Sequence, residues 1–457
     1  MKKGKIEPRT LSGFMELMPG PQLQFDRICE TMRDIYGLYG YYPLDTPILE
    51  SSEVLLAKAG GETEKQVYRF NKGDADITMR FDLTVPLAKF VAKNYGGLTF
   101  PFKRYQIGKV YRGEKSQKGR FREFYQSDID IIGDGELNVI NDAEIPAIIY
   151  NVFTRLGLED FTIRLNNRRL LSGFWCMLNL EDKAGGIMRA IDKLEKMPRE
   201  KIIGELEELG IDTGKCEKIL DFAGIKGTNG EIISQLEELA KDGGETFKEG
   251  LRQLALVVKY IDAFHVPEKN YKIDLSIARG LDYYTGTVYE TTFNKHPEIG
   301  SICSGGRYDN LAEFYTNKKL PGVGISIGLT RLFYILNEME YLNGSALAPA
   351  DVLVIPMTGD MPHAISISER LRGEGIKCQI YFEEKKFKAK IGYADKLDVP
   401  FAFFIGEDEI AKNEVSFKDM QSGEQVSAPL DDAVAAVKKS LSQRSEATVI
   451  DTEKTNR

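Results

Sequence analysis

Histidine is scarce in this 457-residue chain: His265, His296 and His363 are the only three, and each stands alone. A nucleophile triad built on a histidine base, or a histidine-rich metal centre, needs residues that the sequence hardly supplies. The five cysteines, Cys29, Cys176, Cys216, Cys303 and Cys378, are scattered, odd in number and without a CxxC pair. They argue against a disulfide framework and a zinc site, and they fit a reducing compartment. A surplus of positive charge is missing too: 61 Lys+Arg stand against 69 Asp+Glu, a formal net charge of −8. No bulk field advertises nucleic acid, so any RNA contact must rest on local patches and DNA is not an expected partner. No apolar run reaches membrane-spanning length, and the basic start Met1-Lys2-Lys3-Gly4-Lys5 leads into Glu7, Pro8 and Arg9 instead of an apolar stretch, so a soluble, cytoplasmic protein is expected. What is present is an ordinary globular composition, 42% apolar, at a length that suggests about three domains.

The first third reads as mixed helix and sheet. Ile28, Met32, Ile35, Tyr36 and Tyr39 keep helical spacing over 22–39, with Gly40 as a stop. The run 77–82 alternates, which places Thr78, Arg80 and Asp82 on one face of a half-buried strand, and Thr84 is a candidate cap for the helix that follows. Two strands, about 103–112 and 121–132, enclose the basic, glycine-hinged loop 113–120 and form a hairpin. On the second of them Gln126, Asp128 and Asp130 share one face, opposite Ser127, Ile129 and Ile131, so that carboxylates line a cavity. Ile145, Ile148, Ile149, Val152, Phe153 and Leu156 mark an amphipathic helix that Gly157 ends.

From 171 to 268 the texture changes to charged helical segments, read as an insertion that splits one α+β catalytic domain built on an antiparallel sheet into 1–170 and 269–342. The stretch 348–442 alternates strand and helix, from Val352–Ile355 to Phe401–Ile405, as a small α/β domain with a mostly parallel sheet. The polar tail 443–457 reads as disordered.

Two segments carry unusual chemistry: Arg279-Gly280-Leu281-Asp282-Tyr283-Tyr284-Thr285-Gly286 and Gly305-Gly306-Arg307-Tyr308-Asp309. Tyrosine hydroxyls can hold an imidazole-sized ring, and glycines let backbone approach a ligand. With Asp82, Gln126 and Asp130 on one side and Arg112, Arg279 and Arg331 on the other, the set suits a zwitterionic substrate beside a polyphosphate. Phosphoryl and nucleotidyl transfer rest on positioning and charge stabilisation, so the shortage of histidine is no obstacle. Taken singly, each residue has a plainer reading. Tyr283 and Tyr284 can be core residues with satisfied hydroxyls, Gly305-Gly306 a turn, Asp130 a loop cap, Cys303 a buried small hydrophobe, and Lys115 and Lys118 solvated charges.

The motifs taken together resemble the histidyl-tRNA synthetase family of class II aminoacyl-tRNA synthetases. Tyr111-Arg112-Gly113-Glu114 through Gln117-Lys118-Gly119-Arg120-Phe121-Arg122-Glu123-Phe124-Tyr125-Gln126 is similar to motif 2, Gly322 to Leu332 to motif 3, and the segment from Pro43 to Pro47 to the weaker motif 1. With the two tyrosine and glycine signatures the resemblance runs from about Pro8 to about Leu441.

The resemblance implies L-histidine, ATP and tRNA(His) as partners, Mg²⁺ accompanying ATP with metal ligands not specified, a homodimer, and an anticodon-binding last domain. It implies that Arg112 grips the α-phosphate and the carboxylate region, Glu114 meets the adenine amino group and Phe124 stacks on the purine. Arg331 would bind the γ-phosphate, and Arg279 would stabilise charge as the mixed anhydride forms. Asp82, Thr84 and Gln126 would hold the α-amino group, Asp130 and Tyr284 would hydrogen-bond the imidazole, and Tyr283 and Tyr308 would complete the pocket. The cluster Lys385-Lys386-Phe387-Lys388-Ala389-Lys390 with nearby Tyr393 is a candidate tRNA contact on the same ground. Two positions depart from the family pattern: Thr330 stands where an acid commonly precedes the motif 3 arginine, and Asp82 where many members carry Glu. The rival implied by the same fold is a non-catalytic regulatory paralogue that partners an ATP phosphoribosyltransferase in histidine biosynthesis. It needs neither Arg279 nor Arg331 nor the last domain.

Overall fold

The computed structural model describes residues 6–57, 63–115, 119–194, 197–277, 284–310, 312–339, 341 and 348–454. Arg279 and Tyr283, and Lys118 of the hairpin loop, lie outside the described residues. The chain forms two compact units, one of 1–16 with 28–339 and one of 17–27 with 340–457.

The first unit is built on an eight-stranded sheet whose spatial order is Tyr42–Pro43, Phe102–Tyr111, Glu123–Ile132, Gly322–Ile327, Cys303–Tyr308, Tyr284–Phe293, Phe161–Asn167 and Tyr271–Ile273. The six central strands are antiparallel to their neighbours, and the short strand at each edge is parallel. The period of two then sorts side chains cleanly. Ile129, Ile131, Val323 and Ile325 are buried on one face, against which the helix Asn141–Arg155 packs; each such burial is worth roughly 1.5–3 kcal/mol. Arg104, Gln126, Asp128, Asp130 and Ser326 share the opposite face.

Some elements differ from the expectation. The strand predicted over 77–82 ends at Met79, inside a separate three-stranded sheet of Leu49–Ser51, Arg69–Lys72 and Ala75–Met79. Past Met79, Arg80 turns inward, donating from Nε to the carbonyl of Lys109 at 2.8 Å and bonding the carbonyl of Thr46. The Arg80 carbonyl accepts the amide of Tyr111, a residue of the eight-stranded sheet, so the backbone leaves the smaller sheet here. Thr84 is not the cap of the helix Thr84–Asn94 but its first residue; Asp82 Oδ1 accepts the Val85 amide at 3.0 Å and closes the helix start.

The helices Ala184–Ile191, Arg199–Glu208, Thr213–Ala223, Asn229–Ala240 and Glu245–Ala263 fill most of the stretch between the two halves of the sheet. Phe222 of the helix Thr213–Ala223 and Phe247 of the helix Glu245–Ala263 join Phe174 and Trp175 of the preceding helix, Arg168–Met177, in an aromatic cluster, with Phe174 and Phe222 stacked at 4.0 Å.

The second unit holds a five-stranded sheet in the order Cys378–Ile380, Val352–Pro356, Phe401–Ile405, Glu414–Asp419 and Gln425–Pro429. The first three are parallel, as expected; the last two form an antiparallel hairpin that the sequence reading does not contain. Val352, Val354, Phe401 and Phe403 face one apolar cluster with Ala364, Ile367 and Val434, while Leu353, Ile355, Ala402 and Phe404 face a second with Ala394. The final helix, Leu430–Lys454, extends into the segment 443–457 that the sequence reading expects to be a disordered tail; 455–457 lie outside the described residues. No Gly or Pro interrupts 430–454, and Ala, Glu, Lys and Arg favour continuation. Among the described residues no helix is long and apolar enough to cross a membrane.

Candidate active site

The polar face of the central sheet holds the candidate site, and its floor is made by glycines. In the register Gly324 lies opposite Asp130, Gly322 opposite Tyr308, and Gly306 between Gly324 and Val288. A Cβ on Gly324 would fall 2.2 Å from Asp130 Oδ1, one on Gly322 would fall 2.5 Å from the Tyr308 ring, and one on Gly306 would fall 2.9 Å from the Tyr284 ring. Each absent side chain is thus the space in which a neighbouring strand's residue lies. Gly305 and Gly306 are consequently not a turn but the middle of the strand Cys303–Tyr308, and they make room for neighbouring protein groups.

Asp130 is the hub of this arrangement. Its Oδ1 accepts the Tyr308 hydroxyl at 2.8 Å, and its Oδ2 lies 2.6 Å from Nη2 of Arg104. Tyr308 and Arg104 are both buried. Burial pushes Asp130 up to about 6, against the pull of the Arg104 cation and the Tyr308 hydroxyl. One turn of the pleat away, Asp128 is pushed up to about 7, first by burial and further by the Asp130 charge, with Arg104 opposing. Asp128 Oδ1 has no hydrogen-bond partner among the described residues. Gln126 donates from Nε2 to Ser326 Oγ at 2.7 Å, and its Oε1 is buried without a partner among the described residues. Asp82, buried beside this row and raised by burial, is pulled back by the Val85 amide and the Arg112 charge. Thr84 follows it in the first turn of its helix.

The other end of the site is cationic and aromatic. Arg112 donates from Nε to the carbonyl of Phe81 at 3.0 Å, and its guanidinium lies 5.2 Å above the ring of Phe124. The Glu114 carboxylate is 3.7 Å from Arg120. Arg331 donates to the carbonyls of Ser301, at 2.9 Å, and Ile299. Thr330, at the position that departs from the family pattern, is buried, and its Oγ1 accepts the Tyr125 amide at 2.8 Å. It therefore fastens the helix Leu329–Glu338 to the strand that carries Phe124 and Gln126.

The structure thus brings Asp82, Thr84, Arg112, Phe124, Gln126, Asp130, Tyr284 and Tyr308 to one face of the sheet and the helix start beside it, with Glu114 and Arg331 at the cationic end. Arg307, inside one signature, turns to the opposite face. It bonds both oxygens of buried Asp142 and the carbonyls of Leu137 and Asn138. Thr287 and Tyr289 bond the same aspartate, a network whose rupture costs about 3–5 kcal/mol. Sequence reasoning passed over Arg104, Ser326 and Arg164. Arg104 comes to the face of Asp130 through the pairing of their two strands, for which the sequence offered no local signal. Arg164 ties the strand Phe161–Asn167 to Asp274 at 2.8 Å, in the segment that leads into the first tyrosine signature.

A family model described as histidyl-tRNA synthetase matches residues 13–332, and one for an anticodon-binding domain matches 351–440. A histidine–tRNA ligase from Clostridium tetani is 55% identical over 96% of this chain and 100% of its own length. Among solved structures, a histidyl-tRNA synthetase from Nostoc sp. PCC 7120 superposes with a TM-score of 0.88 at 40% identity, covering 95% of this chain and 100% of its own. A protein from Bacillus halodurans described as an ATP phosphoribosyltransferase regulatory subunit/histidyl-tRNA synthetase shares the fold with a TM-score of 0.71 at 20% identity, over 85% of this chain and 97% of its own.

Proposed function

This chain belongs to the histidyl-tRNA synthetase family, and from that premise we propose how its own residues activate L-histidine with ATP and pass it to the 3′ end of a tRNA. It is a histidine–tRNA ligase, an aminoacyl-tRNA synthetase that uses ATP, and not the regulatory paralogue: identity of 55% to a ligase over nearly the full chain and a matched anticodon-binding domain favour the enzyme.

The observation that carries the assignment of the pocket is Asp130, held between Tyr308 and Arg104 on a glycine floor. A carboxylate buried in this way accepts an imidazole N–H, and amino acids without such a donor leave it unpaired. Tyr284, beside Tyr308 in the register, and Tyr283 close the ring pocket. Asp82, Thr84 and Gln126 hold the α-ammonium group; the orphaned Oε1 of Gln126 is a waiting acceptor for it. Arg112 lies between the histidine carboxylate and the α-phosphate, Phe124 offers a face to adenine, Glu114 accepts from its amino group, and Arg331 takes the γ-phosphate. The histidine carboxylate oxygen attacks the α-phosphorus and pyrophosphate leaves, with Arg112 and Arg279 stabilising the charge that spreads over the phosphoryl oxygens. A hydroxyl of the terminal adenosine of tRNA(His) then attacks the acyl carbon and AMP leaves.

Mg²⁺ bound with ATP would neutralise phosphate charge. Among the described residues no group of three or more His, Cys, Asp or Glu is placed to cage an ion, which fits a metal that arrives on phosphate oxygens and keeps its waters. We propose further that the protein is a cytoplasmic homodimer. Its catalytic domain spans 1–170 and 269–342, its helical insertion 171–268, and its anticodon-binding domain 348–442, where Lys385–Lys390 and Tyr393 contact tRNA.

Isotope exchange between pyrophosphate and ATP tests the pocket. Exchange is expected to depend on histidine, and Asp130→Asn is expected to raise the histidine KM by roughly tenfold or more, the worth of one charged hydrogen bond, with the ATP KM little changed. Exchange supported equally by another amino acid, or an unmoved histidine KM, refutes the assignment.

A further inference from the structure

Two buried arginines of the catalytic sheet are bonded in opposite ways. Arg307 spends its donors on Asp142 and on two carbonyls, as a structural arginine should. Arg104 is completely buried, yet it has only Asp130 Oδ2 at 2.6 Å and the Leu83 carbonyl at 3.2 Å; its Nε and Nη1 have no partner among the described residues. A cation placed for stability alone would not be left half-bonded in the interior. Local conflicts of this kind gather at functional sites.

The charges around it explain the placement. Three carboxyls face Arg104: Asp130 and Asp128 from the strand Glu123–Ile132, and Asp82 from the start of the helix Thr84–Asn94. Arg112 adds a cation on the Asp82 side, and Tyr308 adds a hydroxyl from the strand Cys303–Tyr308. Left alone, carboxyls this close and this buried would hold protons. A protonated Asp130 would present a donor where the imidazole N–H needs an acceptor.

We propose that Arg104 is a positioning residue of the histidine pocket: it keeps Asp130 ionised and fixes its carboxylate so that the remaining lone pairs accept an imidazole N–H. The proposal rests on the reading of Asp130 as the imidazole's partner. Without Arg104, Asp130 titrates at a higher pH, so the ionised form that binds histidine exists only in more alkaline solution. The histidine KM should then climb as pH falls through that higher value. The substrate's own imidazole titrates identically whichever variant is assayed, so any displacement between variants belongs to the enzyme.

The experiment is the pH profile of histidine KM in pyrophosphate exchange for the full-length wild type, Arg104→Met, Arg104→Lys and Asp130→Asn. In Arg104→Met the acid limb is expected to move up by about two pH units, with a histidine KM about tenfold higher at pH 7 and an ATP KM within threefold of wild type. Arg104→Lys restores the charge without the fork, so its limb should stay in place. A methionine variant that scales kcat and both KM values equally at every pH overturns the proposal. So does a lysine variant whose limb moves by a unit, which decides the matter even if Arg104→Met does not fold. If Asp130→Asn leaves histidine KM and its profile unchanged, it is the reading of Asp130 that fails. If Asp130→Asn raises KM and flattens the limb while Arg104→Met does neither, only the role of Arg104 falls.

Discussion

At the scale of single residues the site is a problem of where protons reside. Asp128 is raised by burial to about 7, above its unfolded value near 3.8. The sign follows: the folded state holds this proton more tightly than the unfolded chain, so its stabilisation is complete below about pH 4 and is lost as pH rises through 7. Asp128→Asn, which cannot ionise, should therefore stabilise the protein at pH 8 by on the order of 1–2 kcal/mol and by much less at pH 4. Urea denaturation at the two pH values measures the difference; equal effects at both would contradict the buried-carboxyl account. The chemistry of Gln126, Asp128 and Asp130 was legible in the sequence because alternation fixes which side chains share a face. The partner of Asp130 was not. Arg104 meets it through a strand pairing, Arg104 opposite Asp130, and no local pattern records which residues two strands place opposite each other.

At the scale of elements, helix and strand identities were readable wherever periodicity ran long, and the ends were set by contacts outside the pattern. The strand ends at Met79, and the carbonyl of the next residue, Arg80, accepts the amide of Tyr111 in the other sheet. The helix starting at Thr84 is closed by Asp82, two residues earlier than the expected cap. The hairpin Glu414–Pro429 was missed because its outer strand, Gln425–Pro429, is short and largely exposed, and its apolar alternation is limited to Val426 and Ala428. Asp82 closes the helix start and is the proposed partner of the substrate ammonium, and substitutions separate the two roles. Asn keeps the cap but not the charge, whereas Ala keeps neither. Asp82→Asn should lower the melting temperature little while raising histidine KM, and Asp82→Ala should add about 1 kcal/mol of destabilisation. Calorimetry alongside exchange kinetics reads both. Equal melting temperatures for the two variants would remove the capping role.

At the scale of the whole molecule, the residues proposed for amino-acid activation, all between 82 and 331, and the basic cluster proposed to contact tRNA fall on different compact units. With an overall charge of −8, tRNA contact has to be local, and Lys386 and Lys388 are exposed at the start of the helix Phe387–Leu397. Reversing both to Glu should weaken aminoacylation through tRNA KM, by tenfold or more at physiological salt, and leave histidine-dependent exchange intact. An aminoacylation rate that is unchanged across salt concentrations would place the tRNA contact elsewhere.

The glycine floor under Asp130, Tyr308 and Tyr284 bears on how this enzyme can change. A pocket walled by side chains can be retuned one rotamer or one methyl group at a time. Here three of the boundaries are places where any added carbon collides with a neighbour that is itself needed, at 2.2 Å, 2.5 Å and 2.9 Å. Small steps toward a different amino acid are blocked in these directions. If this is the histidine pocket proposed above, an engineer or a lineage seeking new specificity would have to replace a glycine together with the residue lying over it, and single substitutions at these three positions should fail to change the amino acid accepted.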